Sequence, residues 1–311
     1  MRLRCVEMLT YSSDGRLPIE ALYESYGELA ASSGIMYSAI YRQELRLADG
    51  EKTKLPPIVS LRSATRGPAL WVLAGIHGEE PAGPIAVARN TEVFVRLHEQ
   101  GIPFVLFPLC NPKGYLLGWR YPDARRQQDD QGHSVGDCEH LLQHPEDPAR
   151  PRSGRPACPE AGALADQVIA LSDEYPPLLT LDLHEDEDEE AGPGAAYVYS
   201  QGSLGTQDPV AQEIVTILAR NGFRIPEEGR TRFGEQIIDG IVPATQDGSI
   251  DELLASSTFV RDGHILRGPG ARSALVVETP IVGVPLARRV AAHTEILASL
   301  GITSLLLRTV R

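Results

Sequence analysis

Four separated polar residues have the types that metal-assisted hydrolysis needs. His77 and Glu80 stand three apart in "VLAGIHGEEPAG" (residues 72–83), His184 follows "PLLTLDL", and Glu278 ends "SALVVE". Catalytic zinc takes three nitrogen or oxygen ligands and keeps one position open for water. Two histidines and a glutamate make such a set, and a tight turn brings residues three apart onto one side. Zinc lowers the pKa of its water toward neutrality. Glu278 is then the group to take that proton and pass it to a leaving amine. Asp182, two before His184 on an alternating strand, points the same way and suits a supporting partner for that ring. A His-x-x-Glu alone is a weak signal, because short motifs arise by accident. A turn histidine, a solvated acidic loop and a capping glutamate are the ordinary readings of the three segments taken singly.

What ties them together is the element that precedes each one. "ALWVLAG" (69–75), "PFVLFPLC" (103–110), "PLLTLDLH" (177–184) and "SALVVE" (273–278) are short, continuous apolar runs, the pattern of strands buried on both faces. They run into His77 and Glu80, Asn111, His184 and Glu278. In open α/β sheets, ligands bind outside the carboxyl ends of the strands, so four strands deliver polar groups to one kind of place. Further strands are expected over 56–64 and 195–200. Helices are expected over 18–34, 84–99, 159–174, 208–221 and 285–300, several with cap or glycine stop signals. Alternating strands and helices predict a three-layer α/β/α sandwich. The polar, proline-rich stretch 114–156 reads as a long surface excursion.

Composition narrows the function. The 311 residues are 42% hydrophobic and 23% charged, enough for a large buried core, and the formal net charge is −13. Such a chain repels phosphate backbones, which argues against a nucleic-acid partner. No apolar run reaches the length of a membrane span, and no secretory h-region follows the first residues. Cys5, Cys110, Cys138 and Cys158 lie far apart with no Cys-x-x-Cys, as expected for reduced thiols in a cytoplasmic protein.

In order and spacing these motifs resemble the zinc carboxypeptidase superfamily, which includes the succinylglutamate desuccinylase and aspartoacylase branch. The resemblance rests on His77/Glu80, "NPKGY" (111–115), "DLH" (182–184) and "VVET" (276–279), and covers about two thirds of the chain. It implies a mixed, mainly parallel sheet between helices, one zinc per chain on His77, Glu80 and His184, and hydrolysis of an amide bond. It places Glu278 as general base and acid, and an oxyanion-stabilising arginine on Arg120 in "GWRY", with Arg125 and Arg126 as rivals. Asn111, Arg125, Arg126 and Asp137 become candidate substrate contacts. Residues 1–55 fall outside the resemblance and are expected to form an N-terminal extension packed on a catalytic domain of residues 56–311.

Two departures bear on specificity. Where the family has Asp-Leu-Asn-Arg, whose Asn and Arg grip a terminal carboxylate, this chain has "SVGD" (134–137), with Gly136 and Asp137 at those positions. The family's late tyrosine is also missing, since no tyrosine follows Tyr199. The expected activity is therefore a metallocarboxypeptidase-like hydrolysis of a peptide or small molecule with atypical recognition of the substrate end. An N-acyl amino acid deacylase and a non-catalytic binding protein on the same scaffold are the alternatives. No glycine-rich phosphate loop supports a nucleotide-binding protein. His133, His140 and His144 near Cys138 read as solvated loop histidines. The acidic run 185–190 fits a charged loop and a substrate site equally.

Overall fold

The structure is a computed structural model that describes residues 14–46, 50–123, 132–187 and 191–309, with side chains as far as residue 301. In chain order these residues form helix α1 (Ile19–Ala31), strands β1 (Ile35–Tyr41), β2 (Glu44–Arg46), β3 (Lys52–Lys54), β4 (Ile58–Ser63) and β5 (Ala69–Ala74), helices α2 (Ala82–Arg89) and α3 (Thr91–Glu99), strand β6 (Phe104–Phe107) and helix α4 (Pro112–Leu117). The hairpin β7 (Gln143–His144) and β8 (Asp147–Pro151) follows, then α5 (Pro159–Ser172), β9 (Pro177–Asp186), β10 (Tyr197–Ser200) and α6 (Pro209–Arg220). The chain continues through β11 (Glu228–Arg230), β12 (Gln236–Ile238), β13 (Ile241–Pro243) and α7 (Ile250–Ala255). It ends with β14 (Thr258–Arg261), β15 (His264–Arg267), β16 (Ser273–Pro280) and α8 (Leu286–Thr309).

Ten strands make one mixed sheet in the order β1-β4-β6-β5-β9-β16-β10-β13-β12-β11. Its centre, β6-β5-β9-β16, is parallel, and the strands outside it pair mostly antiparallel. The apolar runs explain the arrangement. Every residue of β5 and β6 is buried, because side chains alternate between two helical layers. Leu70, Val72 and Ala74 of β5 join a core built with residues of α1, α2, α3, α6 and α8. Trp71 and Leu73 join the opposite core, with residues of α5 and α7. This is a three-layer α/β/α sandwich with a mixed sheet.

Local departures from the expected elements have local causes. Residues 84–99 are two helices, because Asn90 leaves the helical region at φ −129° and its amide donates to Ala86 O and Thr294 Oγ1. The 114–156 stretch opens inside a helix, α4, whose N-terminus is set by Asn111 as cap and Pro112 at the first position. Residues 14–55 contribute the edge strand β1, paired with β4, and bury Ile19, Leu22, Tyr26 and Leu55 in the first core. Cys110, Cys138 and Cys158 are free and buried. Among the described residues no helix is long and apolar enough to cross a membrane.

Candidate active site

The turn after β5 is built to hold two side chains together. Gly75 leaves the strand at φ +66°, and Glu80 N closes back on His77 O at 3.3 Å. Gly78 lies so close to α4 that a Cβ there would sit 2.0 Å from the Gly114 carbonyl carbon. Any larger residue would push the turn off the helix. Two arginines fasten the same turn. Gly78 N donates to the Arg120 carbonyl. The buried Arg16 guanidinium donates to Gly78 O (3.0 Å) and Tyr115 O (2.6 Å) while pairing with Asp14. Arg16 lies in the region that carries no motif, so no sequence signal marked it.

His184 reaches this turn from β9, which lies between β5 and β16, the strand of Glu278. In the parallel pair β9/β16, His184 stands in register with Glu278. His77 Nδ1 lies 2.8 Å from Glu80 Oε1, His184 Nδ1 lies 3.0 Å from Glu80 Oε2, and the two ring nitrogens are 3.2 Å apart. The donors fit a tetrahedral zinc, whose Zn–N bonds of about 2.0–2.1 Å set neighbouring ligand atoms about 3.3 Å apart. Burial, with Arg120 beside the ring, drives His77 down to about 3, so it stays neutral, the form able to coordinate a metal. Burial alone would lower His184, but Asp182 and Glu80 outweigh it and hold its pKa well above the usual value.

Behind His184, Nε2 lies 3.1 Å from Asp182 Oδ2. The contact is an ion-pairing distance rather than an aligned hydrogen bond, since neither Asp182 oxygen has a hydrogen-bond partner. Asp182 thus lies on the Nε2 side of the ring, with Nδ1 toward Glu80 and the turn. Asp251 of α7 approaches the same place, and Asp182, His184 and Asp251 form a second group of adjoining ligand-type atoms. Burial, then Asp182, pushes the Asp251 carboxyl well above its ordinary pKa. The sequence reading missed Asp251. The signal was present in Ser249-x-x-Glu252, where Ser249 Oγ accepts from Glu252 N and starts a helix. We expect Asp182→Asn to lower metal affinity about 10–100-fold with the melting profile of the metal-free protein little changed. Competition with a chromogenic chelator measures it, and unchanged affinity would remove Asp182 from the site.

Glu278, Arg120 and Asp137 line one cavity of about 650 Å³ together with His77, Glu80 and His184. Glu278 Oε2 is buried with no hydrogen-bond partner. Burial raises its pKa well above the carboxylate range, with Asp186 and Glu80 adding to this and His184 and Arg120 opposing it. Arg120 Nη1 donates to Glu80 Oε1 (3.0 Å) and Glu79 Oε1 (3.3 Å). Asn111 does not line the cavity. Its amide accepts from Gly114 N and donates to Arg120 O, so it caps α4 and holds the Arg120 backbone. Arg125 and Arg126 lie outside the described residues. Of the acidic run, Glu185 and Asp186 turn inward. Glu185 pairs with Arg289 and accepts from Ala82 N at the start of α2, and Asp186 accepts from Tyr197 Oη at 2.5 Å. Among the described residues His133, His140 and His144 join no metal-competent group, and His133 instead pairs with Asp123.

No family model matches this chain, and no curated protein sequence does. Solved structures do. A candidate metallopeptidase from Shewanella amazonensis SB2B is 20% identical over 93% of each chain, with a TM-score of 0.68. The metallo-carboxypeptidase of Burkholderia cenocepacia is 14% identical, covering 94% of this chain and 70% of that one, at TM-score 0.58. Carboxypeptidase A of Helicoverpa armigera is 14% identical, covering 93% and 72%, at 0.54. Identities this low speak for architecture alone, and in architecture this chain has the carboxypeptidase-like fold.

Proposed function

We propose that this chain is a zinc-dependent amide hydrolase, with the metal on His77, Glu80 and His184. The observation that carries the reading is the convergence of these three with Glu278, which stands in register with His184 and lines the same cavity. Bound there, zinc supplies Lewis acidity and acidifies water. Glu278 Oε2 takes the proton from the attacking water and delivers it to the leaving nitrogen. Arg120 donates from its guanidinium to the carbonyl oxygen as negative charge grows there.

A metallocarboxypeptidase-like specificity with atypical recognition of the substrate end follows from Gly136 and Asp137, which replace the carboxylate grip. The second reading is a deacylase of N-acyl amino acids. Metal analysis of the purified protein should give about one zinc per chain. Stripping with a chelator should abolish hydrolysis, and added zinc should restore it. A panel of short peptides and N-acyl amino acids separates the two readings: a deacylase turns over the acyl amino acids and no peptide. A chain that binds no divalent metal would overturn both.

A further inference from the structure

The cavity wall beyond the metal-competent triad is made by two loops that the sequence places more than a hundred residues apart. Asp137 bridges to Ser249 in antiparallel fashion, and Cys138 N donates to Gly248 O at 2.7 Å. This brings Asp137, Asp247 and Asp251 into one wall of the same cavity. Their partners are neutral. Asp137 Oδ1 accepts from Glu139 N (3.1 Å), and Asp247 accepts from Ser249 N, Thr245 Oγ1 and Gln201 Nε2. Asp251 is 4% exposed, and its Oδ1, buried at the cavity, has no hydrogen-bond partner. Among the described residues no lysine, arginine or histidine forms an ion pair with Asp137 or Asp247, whereas Asp251 adjoins His184.

The charge balance of the cavity is lopsided. Nine acidic side chains line it against two arginines and the histidines His77 and His184, and burial favours the neutral form of Glu185, Asp251 and Glu278. Arg120 is held against Glu79 and Glu80, and Arg232 lies 4.0 Å from Asp186. Single zinc occupancy adds two positive charges and leaves the wall of Asp137 and Asp247 uncompensated. A substrate carboxylate brought there would meet like charge, half-buried at Asp137 and exposed at Asp247. Ile76 and Ile250 line the cavity beside these carboxylates and offer an apolar track for a short stem.

Resting on the hydrolase reading above, we infer that the leaving part of the substrate carries a positive charge in place of a carboxylate. The chemical class is an amide of a diamine or of a similar basic end, its cation against Asp137 and Asp247 and its alkyl stem on Ile76 and Ile250. Hydrolysis breaks the amide C–N bond and forms a C–O bond to water. The leaving nitrogen gains a proton, and the products are a carboxylate and a diamine.

Three amides of equal length test this: N-acetyl-1,4-diaminobutane, N-butylacetamide and 4-acetamidobutanoate. We expect kcat/KM to fall in that order, by about two- to fivefold at each step, the size of a charge pair open to solvent. Asp137→Asn with Asp247→Asn should compress the spread between cation and anion. Calorimetry with 1,4-diaminobutane and with butanoate on the zinc-loaded chain reads the same preference without turnover. Preference for the anion, equal use of all three, or a spread that survives the double substitution would overturn the inference. Hydrolysis without such a ranking sinks the inference and leaves the hydrolase standing. Diamine binding that needs Asp137 and Asp247, with no amide cleaved, sinks the hydrolase and leaves the cation site.

Discussion

Glu278→Gln is expected to keep the wild-type zinc content and to lose about a hundredfold to ten-thousandfold in turnover, the usual contribution of a positioned general acid–base. Glutamine keeps the shape of the side chain and removes its ability to hold and return a proton. The site makes the substitution clean. Glu278 lies in register with His184 and is absent from the triad whose donor atoms come together. Its Oε2 makes no hydrogen bond that the change would break. The flanking residues of β16 are buried, so the backbone has little freedom to compensate. Steady-state kinetics beside atomic absorption measure the two quantities on one sample. Near-normal turnover would take Glu278 out of the mechanism. Metal lost together with activity would make it a supporting residue of the metal site.

His77→Ala and His184→Ala are expected to weaken zinc binding by about 10²–10³-fold each. Apparent zinc free energies of about 10–16 kcal/mol in four-ligand sites assign each ligand about 3–4 kcal/mol. Both changes together should leave a chain that no longer retains zinc through gel filtration. Because a ligand that binds only the folded state stabilises it by mass action, added zinc should raise the melting temperature of the wild type and not of the double variant. Folding should survive the loss. Gly78 N and Gly78 O stay fastened to Arg120 and Arg16, and Glu80 Oε2 still accepts from Glu185 N at 3.1 Å. Equal zinc retention by the double variant would void the assignment of these ligands.

The sequence by itself determined the middle of the sheet. β5, β6, β9 and β16 are continuous apolar runs because each is covered on both faces, and that need shows in one dimension. It also determined which polar residues leave those strands. His77 and Glu80 are close in the chain, so a tight turn suffices to join them, and the alternation of a strand puts Asp182 and His184 on one face. The tertiary structure decided what depends on distant segments. β1 has no clear alternation and becomes a strand only because β4 offers it an edge. Asn90 breaks a continuous helical pattern for a hydrogen bond to Thr294. Asn111 has the position of a site residue and turns instead to the backbone of Arg120. Arg16, in a stretch without any motif, clasps the metal-competent turn across 62 residues. The run that begins at Glu185 fits a charged loop and a substrate site equally in sequence, and Glu185 and Asp186 point inward because Arg289 and Tyr197 compensate them there. Asp251 and Asp247 reach the cavity because the 245–251 loop is hydrogen-bonded to the loop carrying Asp137. A residue's type and period record the face it must bury, whereas its partner across the chain is chosen by packing and by the charges that packing brings together.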